Sequence, residues 1–216
     1  TFVAGLRALL RQDPNIIMVG EVRDGETAGL AVQAALTGHL VFSTLHTNNA
    51  ATCLPRLLDM NIEPFLIASV VRVVIGQRLV RRLQPEDCEE YTPNDEEKKE
   101  IERVFGIKTK ADWDNLLAMV QKAQESFGKE KSTKLTLWRP KADLKGDKTG
   151  YKGRMGIYEV VSVDDELRRM IHSGASELDM EAQVRSQTTG IRDDGRARIL
   201  AGTTTIDEVL RVTMED

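Results

Sequence analysis

Three groups of residues in this chain have types and spacings that could do chemistry. The first is the run Ile16-Ile-Met-Val-Gly-Glu21-Val-Arg23-Asp24, in which an apolar stretch delivers a carboxylate. Open α/β sheets place ligand chemistry beyond the carboxyl ends of their strands. In nucleotide hydrolases an acid there orients Mg²⁺ or polarises the attacking water. The same pattern also suits an acid that only caps the next helix. The second group is Thr37-Gly-His39-Leu-Val-Phe-Ser-Thr44-Leu-His46-Thr47, whose two histidines are seven residues apart. That spacing is wrong for a metal pair on one helix face and puts one histidine at each end of a strand. His46, with the Thr44 and Thr47 hydroxyls nearby, suits contact with a phosphate; a satisfied structural histidine is the alternative. The third is Arg7 and Arg11, one helical turn apart and so on one face. Such arginines can bind phosphate or neutralise transition-state charge in a neighbouring subunit, or they can form a solvated face. Arg78, Arg81 and Arg82 form a similar cluster with the same two readings.

One phosphate-binding device is missing from the sequence. A P-loop needs Gly-x4-Gly-Lys-Ser/Thr. Here the only Gly-Lys pair is Gly128-Lys129, and position 123 is Ala. The two cysteines, Cys53 and Cys88, make neither a disulfide framework nor a four-cysteine zinc site.

The elements that must position these groups follow from composition and periodicity. The chain has 216 residues, 41% hydrophobic and 30% charged, with a net charge of −4. That excludes a disordered chain and points to no nucleic acid. No stretch approaches the ~20 apolar residues of a membrane span, and no secretory leader pattern is present, so the expectation is an intracellular chain. Thr1 is not Met and the pattern is already amphipathic at Phe2–Leu10, which suggests a fragment.

Charge divides the chain at 1–83, 84–150 and 151–216. The first block has 14 charged residues, its eight bases all Arg, and reads as a buried α/β core. The second, with 28 charged residues in 67, reads as a charged helical insertion. The third, with 22 in 66, reads as a core strand plus a small helical subdomain. A helix over Phe2–Arg11 carries Leu6, Leu9 and Leu10 on one side and ends at Asp13-Pro14. Ile16–Val19 and His39–Leu45 read as strands buried on both faces of a parallel sheet. Helices are expected over Glu26–Leu36, closed by Gly38, over Ala50–Met60 and over Pro64–Leu83. In the insertion, one helix follows Thr92-Pro93. A second carries Trp113, Leu116, Leu117 and Val120 and ends at Gly128, and 129–150 reads as loop. Beyond it come a strand over Gly156–Val161, a helix over Val163–Ser173 ending at Gly174, and a capping box at Thr205-Ile-Asp-Glu208.

The run LRALLRQDPNIIMVGEVRDGETAGLAVQAALTGHLVFSTLHTNNA resembles the ATPases of type II secretion and type IV pilus assembly. The resemblance covers most of 1–83, resumes at Gly150-Tyr-Lys-Gly-Arg154-Met-Gly-Ile-Tyr-Glu159, and continues through Gly202-Thr-Thr-Thr-Ile-Asp-Glu-Val-Leu-Arg211. It implies a RecA-like ATPase core of the P-loop NTPase class, using ATP and Mg²⁺. Ile16–Glu21 matches the family's Walker B segment, with Glu21 as the catalytic acid. Gly38–Thr47 matches its His box, with His46 sensing the γ-phosphate and His39 supporting it. Arg7, Arg11 and Arg23 match positions near the subunit interface that approach a neighbour's nucleotide. The family forms homo-hexamers on the cytoplasmic side of the inner membrane, where ATP hydrolysis drives a membrane platform protein.

Two departures accompany the resemblance. Assembly enzymes commonly carry two Cys-x-x-Cys zinc pairs in the insertion, whereas here Cys88 stands alone, so no zinc is expected. Packing around Trp113, Leu117 and Phe127 is expected to substitute. The Walker A half is missing, so this chain alone is expected not to hydrolyse ATP. Retraction ATPases lack a long insertion, so residues 84–150 favour the secretion or assembly branch. The alternatives are a retraction or conjugation ATPase and a truncated, non-catalytic interaction module.

Overall fold

The computed structural model of the chain describes residues 4–5, 8–9, 11–47, 49–126 and 135–213. In chain order its elements are β1 (Ile16–Val19), α1 (Gly25–Leu36), β2 (Leu40–Ser43), α2 (Cys53–Asp59), α3 (Pro64–Val70), β3 (Val73–Leu83), β4 (Cys88–Tyr91), α4 (Asp95–Phe105), α5 (Lys110–Ser126), β5 (Leu137–Pro140), β6 (Tyr151–Ser162), α6 (Asp165–Ser173), α7 (Glu177–Gln187), α8 (Ile191–Leu200) and α9 (Ile206–Thr213). β1 pairs with β2, β3 with β6, and β4 with β5. The chain forms two units, each from two separate stretches: Thr1–Gly76 with Glu159–Thr188, and Gln77–Tyr158 with Thr189–Asp216.

The first unit is built on a β-α-β crossover. β1 and β2 are parallel, with Ile16 opposite Leu40 and Val19 opposite Ser43. Parallel neighbours need a crossover, and α1 supplies it. Asp24 starts α1 by accepting a hydrogen bond from Thr27 N at 2.8 Å. Gly38, at φ 97°, takes the chain out of the helix and into β2. Alternation along β1 buries Ile17 and Val19, which pack with Leu54, Ile67, Leu167 and Ile171 in one core.

The other face of the strand pair departs from the expectation. Ile16, Met18, Leu40 and Phe42 are 60%, 80%, 53% and 49% exposed. The strands have the apolar composition of a sheet covered on both sides, but the described residues cover only one.

Pro64–Leu83 is not one helix. α3 ends at Val70, and β3 takes over from Val73. The run Val70-Val-Arg-Val-Val-Ile75 is dense in β-branched residues, which favour strand over helix. The helix expected over Ala50–Met60 begins only at Cys53, because Asn49 folds a turn by accepting from Thr52 N at 2.9 Å. Of the expected helix over Phe2–Arg11, residues 4–5 and 8–9 are helical, Arg11 lies in a turn, and the rest falls outside the described residues.

In the second unit, α4 and α5 pack on a core of Ile101, Ile107, Leu116, Leu137, Ile199 and Val209. Asn94, not Thr92-Pro93, opens α4: its side chain accepts from Glu97 N while the Glu97 carboxylate accepts from Asn94 N. Trp113 packs against this core as expected and its Nε1 donates to Glu102 at 3.3 Å. Phe127 and Gly128 lie outside the described residues. Part of the expected loop is strand, since β5 pairs antiparallel with β4, Tyr91 opposite Leu137. α9 opens with half of the expected capping box. Glu208 N donates to Thr205 Oγ1 at 3.4 Å, but the Glu208 carboxylate turns to Arg81 and Arg211 instead.

Both cysteines are buried thiols outside any disulfide, and Cys88 Sγ donates to Pro85 O at 3.4 Å. Among the described residues no group of three or more His, Cys, Asp or Glu could hold a metal ion. Among them, too, no helix is long and apolar enough to cross a membrane.

Candidate functional site

β1 and β2 point the same way in register, so the segments that leave them emerge at one sheet edge. Gly20 and Glu21 follow β1, and Thr44, Leu45 and His46 follow β2. The two exits are stitched together. Val22 N donates to Thr44 O at 2.9 Å, and Thr44 Oγ1 donates to Gly20 O at 2.7 Å.

This stitching brings two of the expected site residues into contact. His46 Nε2 lies 2.8 Å from Glu21 Oε2. Arg23 Nη2 donates to the other carboxylate oxygen, Oε1, at 2.5 Å. The Arg23 guanidinium, and then His46, hold the Glu21 carboxyl below its ordinary value against the opposing effect of burial. Glu21 in turn raises Arg23. Glu21 is therefore an ionised acceptor at neutral pH. An ionised carboxylate offers about four lone-pair sites, and Arg23 and His46 use two of them, which leaves acceptor capacity for a water.

The remaining expected residues lie elsewhere. His39 precedes β2, at the opposite end of the strand from His46 and about 13 Å of strand away. Its Nδ1 donates to Ala34 O at 3.0 Å with Thr37 Oγ1 also at 3.0 Å, so it is tied to the end of α1. Arg11 is exposed in its turn. Arg7 lies outside the described residues.

Sequence reasoning missed two residues that shape this edge. Asn49 fixes the turn after His46: its backbone oxygen accepts from Thr47 Oγ1 and Thr52 Oγ1, both at 3.1 Å. Glu159, the last residue of the Gly150–Glu159 motif, reaches the same segment through Ala50 N at 3.1 Å. That Glu159 ends the Gly150–Glu159 motif is the signal the sequence carries.

The Glu21 carboxylate, with the His46 imidazole and the Arg23 guanidinium on it, can accept a hydrogen bond from a water at this edge. A hard cation such as Mg²⁺ needs several oxygen ligands, and the described residues assemble no such set.

Residues 1–211 match the family model described as Type II/IV secretion system protein. The chain is 46% identical over 215 residues to the Type II secretion system ATPase E of Vibrio cholerae, covering 100% of this chain and 38% of that protein. The chain thus spans well under half the length of that relative. Among solved structures, the Legionella pneumophila ATPase DotB has a TM-score of 0.59 at 20% identity, over 100% of this chain and 43% of its own. The pilus retraction motor PilT with bound ADP has a TM-score of 0.59 at 21% identity, over 98% and 43%. At those identities the likeness shows the fold alone, and the fold is the expected RecA-like α/β class.

Proposed function

The chain belongs to the Type II/IV secretion system protein family, and from that premise we propose that it is the Walker B and His-box portion of a secretion ATPase. The relative named above is called a secretion ATPase, and a structural neighbour is a pilus motor with bound ADP. The observation that carries the reading is the His46–Glu21 contact at the shared carboxyl edge of β1 and β2.

In this reading Glu21 accepts a hydrogen bond from the attacking water and polarises it towards the γ-phosphate of ATP. His46 reads the γ-phosphate from the same edge. Nε2 donates to Glu21, because an ionised carboxylate only accepts, and Nδ1 donates to a phosphate oxygen when the ring carries its second proton. The His46 imidazole is 82% exposed and so open to a nucleotide. Mg²⁺, when bound with ATP, supplies the charge neutralisation that these residues do not. Arg23, Arg11 and Arg7 approach a neighbour's nucleotide across the subunit interface of a homo-hexamer, and His39 supports the box by fixing the end of α1. The phosphate cradle comes from residues of the parent protein outside these 216, so the chain alone is inactive.

The parent acts at the cytoplasmic face of the inner membrane on a platform protein of a secretion or pilus machine, with no nucleic acid partner. The insertion, here β4, α4, α5 and β5, supports the secretion or assembly branch over retraction.

The test is Glu21→Gln in the full-length protein. Turnover is expected to fall by roughly 10²-fold or more, the scale for losing such a group, with ATP binding retained. An unchanged rate sinks the assignment.

A further inference from the structure

Glu159 is a buried carboxylate with no role in the reading above. It occupies an inward position of β6, only 8% exposed, next in line to Val161 at 1%. Burying a carboxylate in an apolar core is unfavourable unless it is paired or hydrogen-bonded. Its side chain spends that position on one backbone group, since Oε2 accepts from Ala50 N at 3.1 Å across 109 residues of sequence.

The target of that bond gives it meaning. Ala50 ends the segment that begins at Thr44 and carries His46. The start is pinned to the β1 exit through Thr44, by the bonds to Gly20 O and from Val22 N. The far end is a turn in which Asn49 Oδ1 accepts from Thr52 N and Asn49 O accepts from Thr47 Oγ1. Glu159 holds that turn to β6. His46 stands between the two pins with its ring exposed, and the bond of that ring is to Glu21. Packing therefore does little to fix the imidazole, and the placement of its backbone does most. The bond from Ala50 N to the buried Glu159 side chain provides it by tying that backbone to a strand.

We infer that Glu159 is a positioning residue: it fixes the His46-bearing segment from β6, so that His46 meets Glu21 and the nucleotide in reactive geometry. This rests on the proposed ATPase reading, in which His46 acts on the γ-phosphate.

The experiment is steady-state ATP turnover of the full-length protein carrying Glu159→Ala or Glu159→Gln, with Glu21→Gln alongside. Glu159→Ala removes the acceptor and is expected to lower kcat about 10- to 100-fold, the range for misplacing a reacting group by up to an ångström. KM for ATP stays within about threefold, because the phosphate cradle is untouched. Glu159→Gln keeps an oxygen for Ala50 N and is expected to recover most of the rate. An alanine variant with unchanged kcat, a loss confined to KM, or a glutamine variant no better than alanine overturns the proposal. If Glu159→Ala does not fold, hydrogen exchange at the Ala50 amide decides. Strong protection in the wild type, retained in Glu159→Gln, supports the bond, and exchange at the rate of an open loop overturns it. If Glu21→Gln keeps full turnover, the ATPase reading is what fails, and the Ala50 amide then judges the Glu159 bond on its own.

Discussion

His46 Nε2 and Glu21 Oε2 meet at 2.8 Å although 25 residues separate them in sequence. The contact is a product of topology. Two adjacent parallel strands end at one edge, and a hydroxyl-to-carbonyl bond from Thr44 to Gly20 locks the two exits together. Neither side chain could find the other from a differently ordered sheet.

Arg23 tunes this pair. Its guanidinium, ahead of His46, holds the Glu21 carboxyl below the ordinary 4.5. A depressed carboxyl stays ionised above its folded value and protonates only as pH falls through it, so Glu21 is expected to titrate below pH 4.5. Arg23→Ala removes the largest cause and is expected to move the titration upward. A carbon-detected titration of the Glu21 carboxyl in the 216-residue chain checks this. An unmoved midpoint means that Arg23 does not act on Glu21 in solution.

The two histidines are expected to separate in kinetics. His46 contacts the acid, and His39 contacts the α1 terminus. In the full-length protein, His46→Ala is expected to cost roughly 10²-fold in kcat. His39→Ala is expected to cost less than about 10-fold in kcat and to lower the melting temperature by a few degrees. Equal losses in kcat would place His39 in the chemistry itself.

Much of the candidate site was legible in the sequence because it is local. An apolar run ending in Gly20-Glu21, and a second one ending in His46, name both residues before any coordinates do. What was not legible is long-range. Nothing in the order of residues says that Glu159 bonds to Ala50, or that Glu208 leaves its cap for Arg81, because those partners are 109 and 127 residues away. The misread helix over Pro64–Leu83 has a local cause: its apolar spacing fits both periods, and β-branched density decided for strand after Val70. β4 and β5, with the sequences Cys-Glu-Glu-Tyr and Leu-Trp-Arg-Pro, are too short and polar to announce themselves.

Glu208 makes the stability of the second unit depend on pH. It is 1% exposed and accepts from Arg81 N at 2.7 Å, while Arg81 Nη2 and Arg211 Nη2 lie 2.7 and 2.9 Å from its oxygens. Burial pushes its carboxyl up, but the bonds from Arg211 and Arg81 outweigh that and hold it at about 2. The folded value is depressed, so the stabilisation is full above the unfolded value of 4.5 and is lost as pH falls towards about 2. Its scale is about 3 kcal/mol at neutral pH. Urea melts of Glu208→Gln are expected to show that loss at pH 7 and about half of it or less at pH 3. An equal loss at both pH values would assign the effect to packing rather than charge.

The strand face that the described residues leave uncovered is expected to behave as an apolar surface. Ile16, Met18, Leu40 and Phe42 form two cross-strand pairs on that face, Ile16 with Leu40 and Met18 with Phe42. Contiguous exposed apolar side chains beside open strand edges favour association. The 216-residue chain is expected to bind a hydrophobic dye and to self-associate as concentration rises. Met18→Lys with Phe42→Lys is expected to reduce both while leaving the circular dichroism unchanged. Sedimentation at two concentrations measures it, and a monodisperse wild-type chain at both would show that the face is inert.

Gly202 is the sharpest single-residue test of the second unit. It follows α8 with φ 68°, a left-handed conformation that a Cβ disfavours by about 1–2 kcal/mol. Space is also closed there, since an added Cβ would fall 2.5 Å from Cδ1 of the Trp138 ring on β5. The ring cannot withdraw freely, because β5 is held to β4 through the register that sets Trp138 opposite Glu90. Overpacking of this kind adds about 1–3 kcal/mol. Gly202→Ala is therefore expected to destabilise by about 2–5 kcal/mol and to change the Trp138 emission in the folded state. Trp138→Leu should relieve the steric part and leave the backbone part. A double-mutant cycle by urea melts separates the two, and additive losses would show that the indole does not oppose the added methyl.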